Sequence, residues 1–563
     1  MFPFMLLSFF FWIFAVFLCR VWFRKFKHPR TLGFFHPQCD GLGGGERVLW
    51  CIVKALLESS TTSEGLSINE PEFSVGKINE IVIYASPDVA HNSNDVLLKV
   101  KDRFGINLIP QNGRPSLRFI PLRSVQLLDP STYPRFTLFL QALGSTIVAL
   151  EALIRYVPSV FIETTGFAFT FGVARLLGGC RVTSYIHYPT ISTNMIQVVQ
   201  NREAKFNNAS RIANSSILSF LKLSYYRLFA RIYGLCGGFL DSCAVNSSWT
   251  YSHIAELMTS SSSSSESSSS FNCFLNPLHF LQKCHRLPLN QLTIIYPPCD
   301  IKAFAESSKP FGSRACRIVS VAQFRPEKNH LLQLEAMGRL LQLFKSRVSG
   351  PSIPKDLELV MCGAVRHSDD ELILHQLKLR SCELGLGHHV RFEVNLSFSE
   401  IKELLGSSKI GLHTMVDEHF GIALVEFLAA GLLVVAHNSA GPRMDILNIS
   451  PLVSTNPLSP ERLPVTHSDE ELIIIETPRR SGSGDSNCLQ STFGYLCKSA
   501  DGFAEGLYQC LTKTDELQGI LKRVPASLKR FPNNEEFGRK FCTSMRITEL
   551  LEDRSRDDNK KST

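Results

Sequence analysis

Two carboxylates separated by seven residues form the most specific chemical pattern in the sequence. Glu418 stands in a loop after an apolar run, and Glu426 lies about one turn into a helix predicted to start near Gly421 and Ile422. At this spacing one carboxylate can reach sugar hydroxyls while the other accepts from a second pair of hydroxyls. Glu426 has apolar neighbours, where an unpaired carboxylate is costly, so a ligand is a natural partner and a salt bridge is the alternative.

Two cations three residues apart follow an earlier predicted strand. Arg325 and Lys328 occupy a strand-to-helix loop, where two positive side chains can clamp a diphosphate and offset the charge that builds on it as a bond breaks. The pattern Arg-x-x-Lys is also common on protein surfaces, so its meaning depends on what lies beside it in the fold.

A glycine-rich segment follows the first predicted strand. Gly41, Gly43, Gly44 and Gly45 precede a predicted helix, so the backbone can approach a ligand closely and the helix N-terminus can offer N–H groups to phosphate. The spacing is not GxGxxG, and no acidic residue ends a second strand where a ribose would need one. A nicotinamide-dependent oxidoreductase is therefore disfavoured, and a purely structural turn stays an alternative.

The elements that must position these residues alternate between short β-rich runs and helical patterns, which is typical of parallel sheets with crossover helices. Two successive series predict two doubly wound α/β domains, over 30–300 and 310–550, joined near Pro297 and Pro298. The predicted strands are 31–36, 80–86, 117–121, 159–164, 181–187 and 241–246 in the first series, and 316–322, 357–362, 390–394, 410–414 and 432–437 in the second.

The N-terminus predicts a membrane anchor over residues 1–23. Residues 1–19 carry no charge, and the apolar run continues past Arg20 to roughly the length that spans a bilayer. No basic region precedes the run and no small-residue cleavage site follows it, so an uncleaved helix is favoured over a signal peptide. The basic residues on its C-terminal side place that side in the cytosol; they are Arg20, Arg24, Lys25, Lys27 and Arg30.

Composition sets further bounds. The 563 residues carry a net charge of +8, which fits an anionic membrane surface or phosphate-bearing ligands. No basic stripe with interleaved aromatic residues is present, so nucleic acid is not an expected partner. The 16 cysteines contain no CxxC pair, which predicts free thiols in a reducing compartment rather than a zinc site.

Four other segments have features of their own. The apolar helical stretches 217–240 and 136–154 are each either a helix lying in a membrane interface or a buried crossover helix. The serine-rich segment 259–270 predicts a disordered loop, and the charged tail 553–563 is expected to be flexible.

The Glu418-x7-Glu426 pattern with Ala-Ala-Gly at 429–431, preceded by Arg325 and Lys328, resembles the retaining GT-B glycosyltransferases of family 4. The resemblance implies two Rossmann-like domains facing a cleft. It implies that Glu418 contacts the donor sugar and Glu426 the nucleotide ribose. Arg325 and Lys328 would hold the diphosphate.

Longer motifs resemble the dolichol-pathway α-1,2-mannosyltransferase family. They are FHP at 35–37 with GGGERVLW at 43–50, YIHYPT at 185–190, VNSSWT at 245–250, IYPPCD at 295–300, VAQFRPEKNH at 321–330 and HNSAGP at 437–442. The resemblance implies a GDP-mannose donor and a dolichol-diphosphate-linked oligosaccharide acceptor that receives its fourth and fifth mannoses. It also implies a single-pass protein of the endoplasmic reticulum membrane with cytosolic catalytic domains, in contact with membrane lipid and with other early mannosyltransferases of the pathway.

The implied substrate site includes Gly421 and Ile422, with Gly43, Gly44 and Gly45 approaching the diphosphate from the other domain. His187 is expected to contact the transferred mannose, although a structural histidine is the alternative. No Asp-x-Asp pair is present, so we expect cationic side chains in place of a metal, and no cofactor. Two alternative hypotheses remain. The chain could be another family-4 transferase with a different nucleotide sugar or lipid acceptor, or a non-catalytic membrane scaffold.

Overall fold

The computed structural model describes residues 14–552 apart from residues 15 and 42 and the segments 60–74, 76–77, 109–114, 204–207, 260–285, 348–349 and 449–487. Contacts divide the chain into two compact units. Unit 1 takes the chain up to Asn246, Thr250–Pro298 and the part from Asn534 onward, and unit 2 takes Ser247–Trp249 and Cys299–Asn533.

Unit 1 contains a seven-stranded sheet in the order β3-β2-β1-β4-β5-β6-β7, with every neighbouring pair parallel. Parallel strands buried on both faces need nearly continuous apolar runs, and β1 and β4 are buried along their whole length. The order reverses between β1 and β4, which is the switch point of a doubly wound fold. The strands are β1 Thr31–Phe35, β2 Glu80–Ala85, β3 Ser116–Pro121, β4 Val160–Glu163, β5 Arg181–Ile186, β6 Ser242–Val245 and β7 Leu292–Ile294.

Helices connect these strands, as parallel pairing requires. The crossover from β1 to β2 is the helix Gly44–Ser59, which buries most of its residues in the main core of the unit. The other α-helices of the unit before β7 are Pro87–His91, Ser93–Phe104, Thr137–Arg155, Phe169–Gly172, Thr193–Gln200, Ser210–Ala213, Ser216–Cys236 and Ser248–Met258, the last of which begins in the short segment assigned to unit 2.

Unit 2 repeats the arrangement with a second seven-stranded sheet in the order β10-β9-β8-β11-β12-β14-β13. Its pairs are parallel except β13 with β14. The switch point lies between β8 and β11. The strands are β8 Ala315–Val321, β9 Glu358–Gly363, β10 Val390–Val394, β11 Ser408–His413, β12 Leu433–His437, β13 Cys488–Gln490 and β14 Gly494–Cys497.

The α-helices of unit 2 include the two that follow the switch-point strands. The helix His330–Ser346 follows β8, and the helix Ile422–Ala429 follows β11. The others are Ile301–Glu306, Ser368–Glu383, Phe398–Gly406, Ala500–Thr512 and Thr514–Leu528.

The last two helices, Asn534–Ser544 and Ile547–Glu552, group with unit 1. Phe537, Phe541 and Met545 are fully buried in the main core of that unit, which explains why the chain returns to it. The sequence reading assigned 310–550 to the second domain as one block, so it differs from the structure over these helices.

The doubly wound α/β class is confirmed, since all eleven predicted strands are present within two residues of their predicted ends. Three strands, β7, β13 and β14, were not predicted. The expected serine-rich loop, except Thr259, and the tail 553–563 lie outside the described residues. The same holds for most of the expected anchor, of which residues 16–24 are described as helix.

Candidate active site

The two loops that carry the predicted diphosphate and sugar residues follow the two strands at the switch point of unit 2. Lys328 stands in the turn Pro326–Lys328 after β8, and Glu418 stands in the loop after β11. Thr414, which directly follows β11, donates from Oγ1 to the carbonyls of Lys328 and Asn329 at 3.1 and 3.0 Å. This bond holds the loops together at the edge where doubly wound sheets bind ligands.

Lys328 and Glu418 form an ion pair. Lys328 Nζ lies 2.7 Å from Glu418 Oε2 and 3.1 Å from the sulfur of Met415. The side chains of Lys328 and Glu418 are only 21% and 12% exposed, so solvent screens this pair weakly. The structure thus brings together two of the four residues expected to bind the donor, although they are 90 positions apart in the chain.

Glu418 has a second partner that sequence reasoning missed. His413, the last residue of β11, places Nε2 at 3.0 Å from Glu418 Oε2. His413 is buried and follows the apolar residues 410–412, so an imidazole at the carboxyl end of a predicted strand was the available signal.

The pKa of Glu418 lies well below its usual range. Burial alone would raise this pKa, but the charge of Lys328 and the hydrogen bond from His413 outweigh burial. Two neighbouring imidazoles are held neutral near pH 7, because burial lowers the pKa of His330 and of His437 to about 4. The carboxylate of Glu418 therefore faces the ammonium of Lys328, and neither His330 nor His437 adds a charge near pH 7.

The backbone around Glu418 is fixed by the loop after β12. Gly441 donates its N–H to the carbonyl of Glu418 at 3.0 Å, and Asp417 donates its N–H to the hydroxyl of Ser439 at 2.8 Å. Asp417 has φ 55° and Gly421 has φ 96°, so the chain makes two left-handed residues within five positions. A Cβ on Gly421 would also lie 2.5 Å from Leu424 Cδ1, so both the backbone conformation and the space require glycine there.

The remaining predicted residues of unit 2 occupy the same strand edge with other neighbours. Arg325 is 39% exposed, and its Nε lies 3.9 Å from Asp370 Oδ1. Arg325 therefore forms an ion pair with Asp370 and not with Glu418. Gly421 caps the helix Ile422–Ala429. Ile422 and Glu426 are partly exposed on this helix, whereas the neighbours Val425 and Phe427 are buried.

In unit 1 the glycine segment follows β1 and runs into the first turn of the helix Gly44–Ser59. His187 directly follows β5, and a Cβ on Gly45 would lie 3.6 Å from His187 Nε2. The predicted histidine and the predicted glycine segment therefore meet. The contact of His187 with mannose stays a prediction.

Glu163 is a buried carboxylate that sequence reasoning passed over. It ends β4 and accepts hydrogen bonds from the N–H groups of Thr165, Gly166 and Phe167, at 2.8 Å for Thr165. Burial raises its pKa in spite of these bonds. A glutamate inside an apolar run followed by Thr-Thr-Gly was the signal, and the role it indicates is to fix the turn after β4.

Unit 1 also exposes an unusual amount of apolar surface on two neighbouring helices. Tyr225 joins them, because its ring contacts Phe136 at 6.0 Å and its hydroxyl accepts from the N–H of Phe139 at 3.1 Å. Exposed residues of the first helix recur at helical spacing on one face, and the second helix adds more. They are Phe139, Leu143, Ile147, Leu150 and Ile154 on Thr137–Arg155, and Ile217, Phe220, Leu221 and Leu228 on Ser216–Cys236.

Among the described residues, Thr137–Arg155 is the one helix long and apolar enough to cross a membrane by length and composition. Its opposite face is buried in unit 1 through Val148, Ala149 and Ala152. In the same described part of the chain, no three His, Cys, Asp or Glu side chains are grouped as metal ligands. The expectation that no metal takes part stays a prediction.

Two family models match the chain. The model described as ALG11 mannosyltransferase N-terminus matches residues 29–258, and the model described as glycosyl transferases group 1 matches residues 301–448. The second match contains Arg325, Lys328, Glu418 and Glu426.

Relatives and solved structures agree with these models. The human GDP-Man:Man(3)GlcNAc(2)-PP-Dol alpha-1,2-mannosyltransferase is 37% identical over 92% of this chain and 87% of its own length. The Dictyostelium discoideum protein of the same name is 38% identical over 74% of this chain and 73% of its own length. A sucrose-phosphate synthase from Thermosynechococcus elongatus, at 12% identity and a TM-score of 0.52 over 92% of this chain and 98% of that structure, shares the fold.

The predicted GT-B fold is therefore confirmed, and the prediction that the chain is a glycosyltransferase is confirmed as well. The chain belongs to the family of GDP-Man:Man(3)GlcNAc(2)-PP-Dol alpha-1,2-mannosyltransferases.

Proposed function

We propose that this chain transfers mannose from GDP-mannose to Man3GlcNAc2-diphospho-dolichol and then to the Man4 product, forming α-1,2 bonds with retention. The observation that carries the proposal is the ion pair of Lys328 with Glu418, 2.7 Å apart on the switch-point loops of unit 2. A cation and a carboxylate at this edge suit a donor whose diphosphate is anionic and whose sugar carries hydroxyls.

In the proposed reaction the bond between mannose C1 and the β-phosphate oxygen breaks. The bond from C1 to the 2-hydroxyl oxygen of the acceptor mannose forms on the same face of the sugar. The hydroxyl proton passes to the leaving phosphate, so GDP departs with the electron pair and the charges balance. No covalent intermediate with the protein is required.

Each residue then has one task. Lys328 and Arg325 stabilise the negative charge on the leaving diphosphate, because charge-assisted hydrogen bonds are strongest where charge develops. Glu418 accepts from sugar hydroxyls, for which its depressed pKa keeps it ionised at neutral pH. Glu426 accepts from the ribose hydroxyls, and Gly421 and Ile422 open the helix start to the ligand.

The glycine segment and His187 belong to the proposed substrate contacts of unit 1. Gly43, Gly44 and Gly45 bring backbone close to the substrate, and His187 contacts the transferred mannose. The close approach of His187 to Gly45 supports a shared role. Cationic side chains replace a metal in this proposal.

A transfer assay tests the function and the site together. Detergent-solubilised protein receives GDP-[14C]mannose and lipid-linked Man3GlcNAc2, and we expect label in a product that α-1,2-mannosidase releases. Glu418→Gln and Lys328→Ala should lower kcat by about 100-fold or more. The matched control is Glu306→Gln, whose carboxylate is 66% exposed on the surface of the same unit and should leave kcat unchanged. Binding of GDP-mannose without turnover would favour the non-catalytic scaffold instead.

The location forms a second part of the proposal. The chain lies in the endoplasmic reticulum membrane with one N-terminal span and its catalytic units in the cytosol. The basic end of the N-terminal helix is tied to unit 1, since Lys27 Nζ donates to the carbonyl of Gly179 at 2.6 Å and His28 stacks on Tyr156 at 4.1 Å. Tyr156 caps the apolar helix Thr137–Arg155, so the segment that follows the N-terminal helix lies beside the C-terminal end of the apolar helix.

The exposed apolar face of Thr137–Arg155 and Ser216–Cys236 supports contact with membrane lipid. Because the first helix buries its other face in unit 1, a helix lying in the interface fits better than a second span. The N-terminal span would hold the full chain in vesicles, so the test uses a variant without residues 1–23. In that variant we expect Ile147→Glu to reduce flotation with vesicles of anionic and neutral phospholipid. Leu98→Glu, at a 57% exposed position elsewhere in unit 1, is the control and should float like the variant without it.

Topology has a separate test. If the units are cytosolic, the exposed sequon asparagine Asn395 stays unglycosylated in microsomes, and glycosidase treatment leaves the mobility of the protein unchanged. A glycan on Asn395 would place unit 2 in the lumen. Association with other early mannosyltransferases of the pathway is also part of the proposal, and co-purification from detergent extracts tests it.

A further inference from the structure

The carboxylate of Glu46 occupies the space beside two of the loop glycines. A Cβ on Gly41 would lie 2.9 Å from Glu46 Oε1, and a Cβ on Gly43 would lie 2.9 Å from Glu46 Oε2. Neither glycine has a left-handed backbone. A side chain at either position would therefore push the carboxylate of Glu46 aside, so what these two glycines provide is room for that carboxylate and not a special backbone conformation.

Glu46 uses that space to hold the loop. Its Oε2 accepts from the N–H of Gly43 at 2.6 Å, which is the bond that a glutamate three residues into a helix makes to the residue before the helix. Its Oε1 lies 3.6 Å from His36 Nε2, and its side chain is 19% exposed.

His36 connects this carboxylate to the neighbouring strand. His36 directly follows β1 and is buried, and its Nδ1 lies 2.8 Å from the hydroxyl of Thr164, which directly follows β4. The chain of contacts Thr164–His36–Glu46–Gly43 therefore runs from both switch-point strands of unit 1 to the glycine loop. The pKa of Glu46 is lowered to about 2, because the hydrogen bond and charge of His36 and the N–H of Gly43 outweigh burial, which alone would raise it.

The other two glycines have different surroundings. A Cβ on Gly44 would meet nothing within 4 Å, and a Cβ on Gly45 would meet only His187, with Nε2 nearest at 3.6 Å. A Cβ on Gly44 or Gly45 would thus clash with no described atom of the protein, since 3.6 Å is an ordinary van der Waals distance.

We infer that Glu46, held by His36, is a positioning residue that fixes the glycine loop so that Gly44 and Gly45 meet the substrate beside His187. This inference rests on the proposed function for its catalytic consequence. The glycines divide into an inner pair, Gly41 and Gly43, that seats the carboxylate, and an outer pair, Gly44 and Gly45, that faces the ligand.

A double-mutant cycle in thermal unfolding tests the inner pair without any need for turnover. Gly43→Ala must displace the carboxylate of Glu46, so we expect the unfolding midpoint to fall by about 2–4 °C in the wild-type background. In the Glu46→Ala background the same change should have almost no effect, because the displaced group is gone. Equal effects of Gly43→Ala in both backgrounds would overturn the inference whether or not the protein transfers mannose.

Kinetics test the positioning role. Glu46→Ala should lower kcat about tenfold with KM values changed less than about threefold, since a misplaced loop weakens contacts made in the transition state. Glu46→Gln retains an oxygen that accepts from Gly43 and should restore most of kcat. The control is Glu58→Ala at the far end of the same helix, which should match the wild type. If Glu46→Gln lowered kcat as much as Glu46→Ala, the positioning role of Glu46 would be contradicted.

The outer pair has its own test. Gly44→Ala should leave the unfolding midpoint unchanged or higher, because alanine favours the first turn of a helix, yet lower kcat/KM about tenfold or more. Full activity of Gly44→Ala would show that no substrate meets the loop there and would overturn the inference. If the wild type itself transfers no mannose, the proposed function fails while the unfolding cycle still decides the inner pair.

Discussion

Removing the charge of Lys328 should destabilise unit 2 by an amount that depends on pH. Lys328→Met keeps the aliphatic stem and deletes the ammonium that lies 2.7 Å from Glu418 Oε2. A hydrogen bond to a charged group contributes about 1.5–3 kcal/mol when both partners leave water. Since the two side chains are 21% and 12% exposed, a loss near the middle of that range, about 2 kcal/mol, is expected.

The sign of the pH dependence follows from the depressed pKa of Glu418. A carboxyl group whose folded pKa is below its ordinary value of 4.5 contributes stability that is fully present above that value. That contribution is lost as the pH falls from 4.5 through the folded pKa. Lys328→Met lacks most of this contribution, so the free energies of unfolding of the wild type and the variant should become more similar as the pH falls.

Thermal unfolding of purified protein in detergent measures both effects. At pH 7 we expect the midpoint of Lys328→Met to lie about 4–8 °C below that of the wild type, from about 2–4 °C per kcal/mol for a unit of this size. The difference between the two unfolding midpoints should become smaller from pH 5 down to the lowest pH at which the protein stays soluble. The exposed pair of Lys302 with Glu306 provides the control Lys302→Met, for which we expect no gap. A midpoint unchanged at pH 7, or a gap that widens in acid, would refute the reasoning.

Three other changes have defined outcomes. Gly421→Ala should lower the unfolding midpoint by several degrees and abolish transfer, because the φ of 96° and the contact with Leu424 both oppose a Cβ. The control Gly387→Ala, in open space in the same unit, should leave both the midpoint and transfer unchanged. His413→Ala should lower kcat about tenfold through misplacement of Glu418, with Asn partly restoring it if donation of a hydrogen bond is what matters. Incubation with EDTA should leave mannose transfer unchanged, and a loss that Mg²⁺ or Mn²⁺ restores would show that a metal takes part.

The sheets were predictable from the sequence because parallel strands buried on both faces are nearly continuous apolar runs. The run ending at Phe35 has this property in unit 1, and the run of β12 that ends at His437 has it in unit 2. Strands β13 and β14 were missed, since they have only three and four residues.

The return of the C-terminal helices to unit 1 has no local signal. Phe537 and Phe541 predict only that a helix face is buried, and the choice of unit depends on packing against residues hundreds of positions away. Segment-by-segment sequence patterns therefore could not reveal it.

Site residues could be predicted where their spacing in the sequence indicates their chemistry. They could not be predicted where their role depends on a contact formed in the fold. The carboxylates Glu418 and Glu426 and the cation Lys328 stood out by spacing and type. His413 did not, because it lies in none of the motifs, and it becomes informative only through the carboxylate of Glu418. His36 lies in the FHP motif, but its contact with Glu46 could not be read from the sequence.

The most direct measurement is the product formed from GDP-mannose and lipid-linked Man3GlcNAc2 by the purified wild-type protein. The proposed function predicts a product with two added mannoses, both released by α-1,2-mannosidase, and no product when UDP-glucose replaces the donor. Transfer of a different sugar, or a single mannose resistant to that enzyme, would contradict the proposed function while leaving the GT-B fold in place.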